Sequence, residues 1–374
     1  MKKIFLIVGA RPNFMKAAPI LEKLKKCPDI KSVLIHTGQH YDYAMSKVFF
    51  EDLNIPAPDV NLGIGSCGHA EQTGRIMIGL EKIYLKEKPN LVVVFGDVNS
   101  TLAGALVASK LNIPVAHIEA GVRSYNNMPE ETNRLLTDHI SDYLFTTSKY
   151  EDENLWKEGI SVNKIFCVGN IMIDSLLKYK EVAIKRQITE KLLLERKKYV
   201  LCTLHRVENV DDKDKFKNII RALSEISKSM SIICPVHPRT RKNINNFGLN
   251  KFFTEFKAGK LGKNTGIKLI EPLSYIDCLN LEMNAKFIIT DSGGIQVEAT
   301  ILGIPCLTIL DKPLWVVTHK EGTNILVKEY GKELIKQAMK MVNKEYVNKK
   351  GVKSPRLWDG KTADRIVKIL IKKL

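Results

Sequence analysis

This sequence predicts a doubly wound α/β fold in two halves that face each other across a cleft, and three observations point to it. Short β-branched runs alternate with amphipathic helical stretches, the pattern of βαβ units around a parallel sheet. The alternation occurs twice, with a break near Val168-Gly169-Asn170. Polar, glycine-bearing motifs fall where the strands end, which is where open parallel sheets bind ligands. A chain of 374 residues with 44% hydrophobic content has material for two buried cores.

The first half opens with a strand over 3–8, continuously apolar because helices are to cover both sheet faces. A helix over 14–26 and a strand over 32–36 follow. A long helical pattern over 70–87 leads into a strand over 91–95, a helix over 101–110 and a strand over 115–119. A helix over 131–140 and a strand over 143–147 end this half. The second half runs strand 199–204, helix 212–227, strand 231–236 and a short strand 268–270. Helix 275–284, strand 287–290, helix 295–302 and strand 306–310 complete it. A last helix over 362–374 crosses back onto the first half. The expected domains are therefore residues 1–169 with 357–374, and residues 170–356.

The net charge of +17 is carried mostly by lysines in mixed-charge helical stretches such as 178–198. Without an aromatic-interleaved basic stripe, this reads as a solvated lysine-rich surface that tolerates a phosphate-bearing ligand, not as a nucleic-acid site. The seven cysteines are odd in number and scattered, and none forms a CxxC pair. That pattern suggests neither a disulfide framework nor a zinc knuckle and points to a reducing cytoplasm. No apolar run approaches the ~20 residues that span a bilayer. The opening apolar run enters Gly9-Ala10-Arg11-Pro12, unlike a leader's cleavage site. The expectation is a soluble cytoplasmic protein without membrane or nucleic-acid partners.

Five motifs can carry chemistry. Gly9-Ala10-Arg11-Pro12-Asn13-Phe14-Met15-Lys16 is a strand-to-helix turn with two cations, Arg11 and Lys16, suited to a diphosphate but by itself an ordinary βα turn. Gly96-Asp97 ends an apolar strand, and the Asn99, Ser100 and Thr101 that follow are natural helix caps. His117-Ile118-Glu119 closes the next strand, and Pro129-Glu130-Glu131 opens a helix that carries Arg134. Asp97, Glu119 and Glu130 would thus converge. Crowded carboxylates suit proton removal and return at carbon, while one of Glu130 and Glu131 simply complements the helix dipole. His205-Arg206 and His237-Pro238-Arg239 occupy equivalent strand ends, where a histidine can serve a phosphate or a leaving group. Thr290-Asp291-Ser292-Gly293-Gly294 precedes a helix bearing Glu298, so glycine amides can cradle phosphate while the acid reaches a ribose diol. The histidines lack the carboxylate spacing of a metal site, so no metal is expected.

These motifs, with Thr37-Gly38-Gln39-His40, fall in the order and spacing of the non-hydrolysing UDP-N-acetylglucosamine 2-epimerases, and the sequence resembles that family from about Lys3 to the C-terminal helix. The resemblance implies the glycosyltransferase B-like fold, with residues 170–356 as the UDP-binding domain, and no cofactor. It implies acid–base roles for Asp97, Glu119 and Glu130, and assistance to UDP departure by His205. Arg11, Lys16, Arg134, His237, Ser292, Gly293 and Gly294 match substrate contacts, and Glu298 matches the ribose ligand. The implied reaction eliminates UDP across C1–C2, gives 2-acetamidoglucal, and re-adds UDP with the proton on the other face. It further implies closure over the ligand, a homodimer, and in some members a second, activating UDP-GlcNAc, for which Gln39, Gln72 and Arg206 lie in suitable motifs.

One segment departs from the family. Where relatives carry Thr-Glu-Arg/Trp-Pro, this chain has Pro313-Leu314-Trp315-Val316, so a carboxylate is replaced by Leu314. The substrate could accordingly be another UDP-amino sugar, a diacetamido uronic acid or a 6-deoxy sugar. A UDP-sugar glycosyltransferase and a non-catalytic UDP-sugar binder are the competing readings; the three carboxylates argue against the first, and the second draws support only from Leu314.

Overall fold

The computed structural model describes residues 1–39, 56–125, 127–256, 265–343 and 354–374. His40, the last residue of the Thr37-Gly38-Gln39-His40 motif, lies outside them. The chain divides into one unit of Met1–Lys178 with Arg356–Leu374 and a second of Tyr179–Pro355.

Seven parallel strands build the first unit: β1 (Lys2–Val8), β2 (Ile30–His36), β3 (Val60–Asn61), β4 (Leu91–Phe95), β5 (Val115–Ile118), β6 (Tyr143–Thr146) and β7 (Ile165–Cys167). Their order is β3-β2-β1-β4-β5-β6-β7, so direction of progression reverses between β1 and β4. Phe5, Ile7, Val92 and Val94 meet Ile76, Leu80 and Tyr84 of the His69–Glu87 helix in one core. The strand over 143–147 is not the last of this half, because β7 pairs beyond it. Its three residues, all half-buried, are too few to show a periodicity. Glu119 also leaves the expected strand: β5 ends at Ile118, and Glu119 takes φ +73.

The C-terminal stretch is tied into this unit. The Trp358 indole donates to the Thr147 carbonyl at 2.9 Å, and Arg365 Nη1 reaches the Val168 carbonyl at 2.9 Å. Asp174 accepts from the Thr362 and Ala363 amides, which start the Thr362–Lys373 helix. Gly169 allows this approach: its φ is +91, and a Cβ there would lie 2.1 Å from the Leu357 carbonyl oxygen.

The second unit repeats the plan with β8 (Val200–Thr203), β9 (Ile232–Pro235), β10 (Phe253–Glu255), β11 (Ile267–Ile270), β12 (Phe287–Thr290), β13 (Cys306–Ile309) and β14 (Asn324–Val327). The order β10-β11-β9-β8-β12-β13-β14 places the reversal between β8 and β12. The Lys213–Ile226 helix buries Phe216, Ile219, Ile220, Leu223 and Ile226, one helical face, and Asp212 caps it through the Asp214 and Lys215 amides. β10 and β14 are additions to the sequence reading. Among the described residues, no helix is long and apolar enough to cross a membrane.

Candidate active site

In the first unit, chemistry gathers at the carboxyl ends of β1, β4 and β5, around the reversal. Asn13 fixes the first turn: its Oδ1 accepts from the Gly9 and Ala10 amides at 3.1 and 3.0 Å, and its Nδ2 donates to the Phe95 carbonyl at 3.0 Å. Gly9 must be glycine, since a Cβ would sit 2.0 Å from Ser100 Oγ. The helix this turn begins, Arg11–Leu24, carries Lys16 inward. Lys16 Nζ pairs with Glu119 Oε2 at 2.6 Å, with the two side chains only 9% and 12% exposed. The same Nζ lies 3.1 Å from where a Cβ on Gly96 would stand, just before Asp97. Asp97 is bound by Arg134 Nη2, and its carbonyl accepts from Asn133 Nδ2 at 2.9 Å. Arg11, in contrast, is exposed.

Beneath these turns runs a buried chain of charge. His117 bonds the Gly96 carbonyl and Asp138 Oδ1, each at 2.7 Å. Asp138 Oδ2 meets Arg123 Nη2 at 2.8 Å and accepts from the Gly121 amide, and Arg123 continues to Glu158. Burial alone would raise the Asp138 carboxyl; His117 and Arg123 outweigh it and hold it below the usual carboxylate range.

The two glutamates at the start of the Pro129–Ile140 helix separate clearly. Glu131 accepts from the Ser124 and Tyr125 amides and pairs with Arg134 at 2.7 Å. Burial works against its charge, but those donors prevail and its carboxyl is lowered. Glu131 therefore locks the loop. Glu130 is half-buried, and its buried Oε2 has no hydrogen-bond partner among the described residues.

In the second unit, Asp291 organises the turns after β8 and β12. It accepts from the His205 and Arg206 amides and from Asn209 Nδ2 at 3.0 to 3.2 Å, and its Oδ1 faces His205 Nδ1 at 3.2 Å. Burial pushes this carboxyl up, yet His205, Asn209 and the Arg206 amide hold it below its ordinary value. The His205 side chain remains 43% exposed, so an oriented imidazole faces outward from a buried anion. The His237 ring lies 6.1 Å from it, and His237 Nδ1 accepts from the Arg239 amide. Arg206 is turned inward, its Nε on the Asp291 carbonyl at 2.8 Å.

Ser292 is the N-cap of the Gly293–Leu302 helix and makes no side-chain cap bond; Ser292, Gly293 and Gly294 are all partly open. First-turn amides have no partner inside their own helix, so this turn presents donors to an anion. Glu298, one turn further, is buried. Burial raises its carboxyl and raises Glu282 on the Tyr275–Asn284 helix further, where the Glu298 charge adds to the effect.

The expected activator residues Gln39 and Gln72 are engaged internally. Gln39 Oε1 accepts from the Ser100 amide and hydroxyl at 2.9 and 2.6 Å, and Gln72 bonds the Gly65 carbonyl and Asn99. Sequence reasoning gave no role to Asn13 and Asn209, polar residues in the turns after strands, or to Asp138, a polar residue in the last turn of the Pro129–Ile140 helix. Among the described residues, no group of three His, Cys, Asp or Glu side chains could hold a metal ion.

Two Rossmann-like units, one with cation-held carboxylates at its switch point and the other with an open Ser-Gly-Gly helix start, define the glycosyltransferase B-like class of α/β proteins. The chain belongs to the UDP-N-acetylglucosamine 2-epimerase family of isomerases, whose sequence profile matches residues 22–371. It is 48% identical over 375 residues to the UDP-N-acetylglucosamine 2-epimerase of Methanocaldococcus jannaschii, with 98% of each chain covered. Identity to the UDP-2,3-diacetamido-2,3-dideoxy-D-glucuronate 2-epimerase of Pseudomonas aeruginosa is 42% over 329 residues, 87% of this chain and 88% of that one. Among solved structures, it is similar to the M. jannaschii UDP-GlcNAc 2-epimerase in complex with UDP-GlcNAc and UDP: TM-score 0.87, 46% identity, 99% of each chain. The Neisseria meningitidis UDP-GlcNAc 2-epimerase bound to UDP-GlcNAc gives TM-score 0.86 at 31% identity, covering 99% of this chain and all of that one.

Proposed function

We propose that this chain interconverts UDP-N-acetylglucosamine and UDP-N-acetylmannosamine by eliminating and re-adding UDP. The observation that carries the reading is the Lys16–Glu119 pair beside the Gly96-Asp97 turn, with Arg134 on Asp97. These carboxylates are held in fixed positions by cations, as a base for a carbon-bound proton needs to be.

A carboxylate of the set Asp97, Glu119 and Glu130 takes the C2 proton while the C1–O bond to UDP breaks, leaving the C1–C2 double bond of 2-acetamidoglucal. The proton returns to C2 from another member of the set on the opposite face, and a UDP oxygen re-forms the bond to C1. In the second unit the Ser292-Gly293-Gly294 amides hold the diphosphate. His205, oriented by Asp291, supplies a proton or positive charge to the departing UDP, and His237 stands beside it. Glu298 is the group for the ribose diol, while Arg11 supplies exposed positive charge. A homodimer, an activating second UDP-GlcNAc and a cytoplasmic location belong to the same proposal.

Incubation with UDP-GlcNAc in D2O tests it by NMR. Deuterium is expected at C2, with UDP-ManNAc appearing alongside. Absence of exchange with either sugar nucleotide, while a UDP-diacetamido uronate does exchange, overturns the substrate assignment. UDP release without C2 exchange overturns the reaction.

A further inference from the structure

The segment that departs from the family packs on the phosphate-binding turn. A Cβ on Gly293 would lie 2.9 Å from Leu314 Cδ2 and 3.3 Å from Trp315 Nε1. Trp315 is 4% exposed, and its Nε1 has no hydrogen-bond partner among the described residues. Buried indole N–H groups ordinarily find an acceptor, and Trp358 in this chain does so on the Thr147 carbonyl. Trp315 is thus a buried donor aimed at the first residue of the ten-residue Gly293–Leu302 helix, whose first-turn amides also lack acceptors within the helix. Donors converging from two segments, with Arg206 turned inward onto the Asp291 carbonyl, describe a place for an anionic oxygen.

We infer that Trp315 Nε1–H is a substrate-binding donor that completes the cradle, bonding a phosphate oxygen of the nucleoside diphosphate alongside the Gly293 and Gly294 amides, an assignment that rests on the diphosphate grip proposed above. The half-buried Leu314 packs against Gly293. An indole offers one neutral donor in a fixed direction, so it selects the position of an oxygen without adding charge. Leu314 correspondingly adds no negative charge beside the phosphate.

The chain has three tryptophans, so ¹⁵N-indole labelling of the full protein gives three N–H signals, and Trp315→Phe identifies one by its loss. The probes are UDP and, separately, inorganic pyrophosphate, with calorimetry in parallel. The Trp315 signal is expected to move downfield in step with the UDP binding isotherm, and to move with pyrophosphate as well. Trp315→Phe, which keeps the ring's packing, is expected to weaken UDP binding about tenfold with an unchanged melting temperature. UDP binding that leaves the signal in place, with the Phe variant binding like wild type, overturns the inference and leaves the proposed function standing. Absence of any UDP binding overturns the diphosphate grip itself. Should Trp315→Phe not fold, Trp156→Phe on an exposed ring assigns that indole; response from neither of the two buried indoles then overturns the inference.

Discussion

Glu119 combines a left-handed backbone with a buried ion pair, and the two features serve the same end. A non-glycine residue at φ +73 is held there by its surroundings, here by amides of Glu119 and Ala120 that both bond the Phe145 carbonyl. The side chain is thereby turned to Lys16. Glu119→Gln should lower C2 deuterium wash-in by about 10²- to 10⁴-fold while calorimetry shows UDP still bound, because the diphosphate cradle proposed at Ser292-Gly293-Gly294 belongs to the other unit. Equal loss of both would instead indicate collapse of the turn. Asp291 gives a stability expectation. Its folded-state carboxyl is depressed, so its contribution is present above the ordinary carboxylate value and is lost as pH falls through the depressed one. Asp291→Asn should therefore destabilise the protein by about 3 kcal/mol at pH 7, with the gap to wild type narrowing in urea titrations as pH is lowered toward 3.

At the scale of the element, the Lys149–Lys157 helix shows how a start signal works when buried. Ser148 accepts from the Tyr150 amide, and Glu151, 2% exposed, accepts from the Ser148 and Thr147 hydroxyls. Burial pushes the Glu151 carboxyl up to about 7, against the pull of those hydroxyls. A raised carboxyl stabilises the fold fully below its ordinary value of 4.5 and loses that contribution as pH rises through about 7. Glu151→Gln should consequently match wild type near pH 5 and exceed it by up to about 3 kcal/mol at pH 8, read from urea unfolding at both pH values. This helix escaped the sequence reading because its apolar face is short, only Leu155 and half-buried neighbours, so periodicity carried little signal. Strands β1 and β4 were legible for the opposite reason: both sheet faces are covered, and their residues are apolar almost without interruption. The site divides the same way. Asp97, Glu119, His205 and Ser292-Gly293-Gly294 stood out as polar groups at strand ends. What chose between Glu130 and Glu131 was the path of the loop at Ser124, and Asn13 joins two bonds to its own turn with one to Phe95 across the sheet, geometry that residue type alone does not encode.

For the molecule as a whole, the return of residues 356–374 is a structural dependence of the first unit. Trp358 is buried and bonded, Asp364 meets Lys23 at 2.7 Å, and Ile366 and Leu370 are fully buried. Replacing Trp358 with Ala removes a large core side chain and should cost about 3 to 5 kcal/mol. Because the second unit has its own sheet and core, the loss should fall on the first unit alone. Hydrogen exchange resolved by peptide is expected to accelerate in β1, β4 and β6 and stay unchanged in β8, β9 and β12; uniform acceleration would contradict this.

Since residues 179–355 interrupt the first unit's sequence, a ribosome delivers the middle of the chain before the first unit has all its parts. Cooperative units fold when complete. The second unit's segment is therefore synthesised whole while the first unit still lacks residues 356–374. Slowing elongation across that last stretch should lengthen the exposure of β1 and β4 to chaperones and proteases, without altering the finished protein.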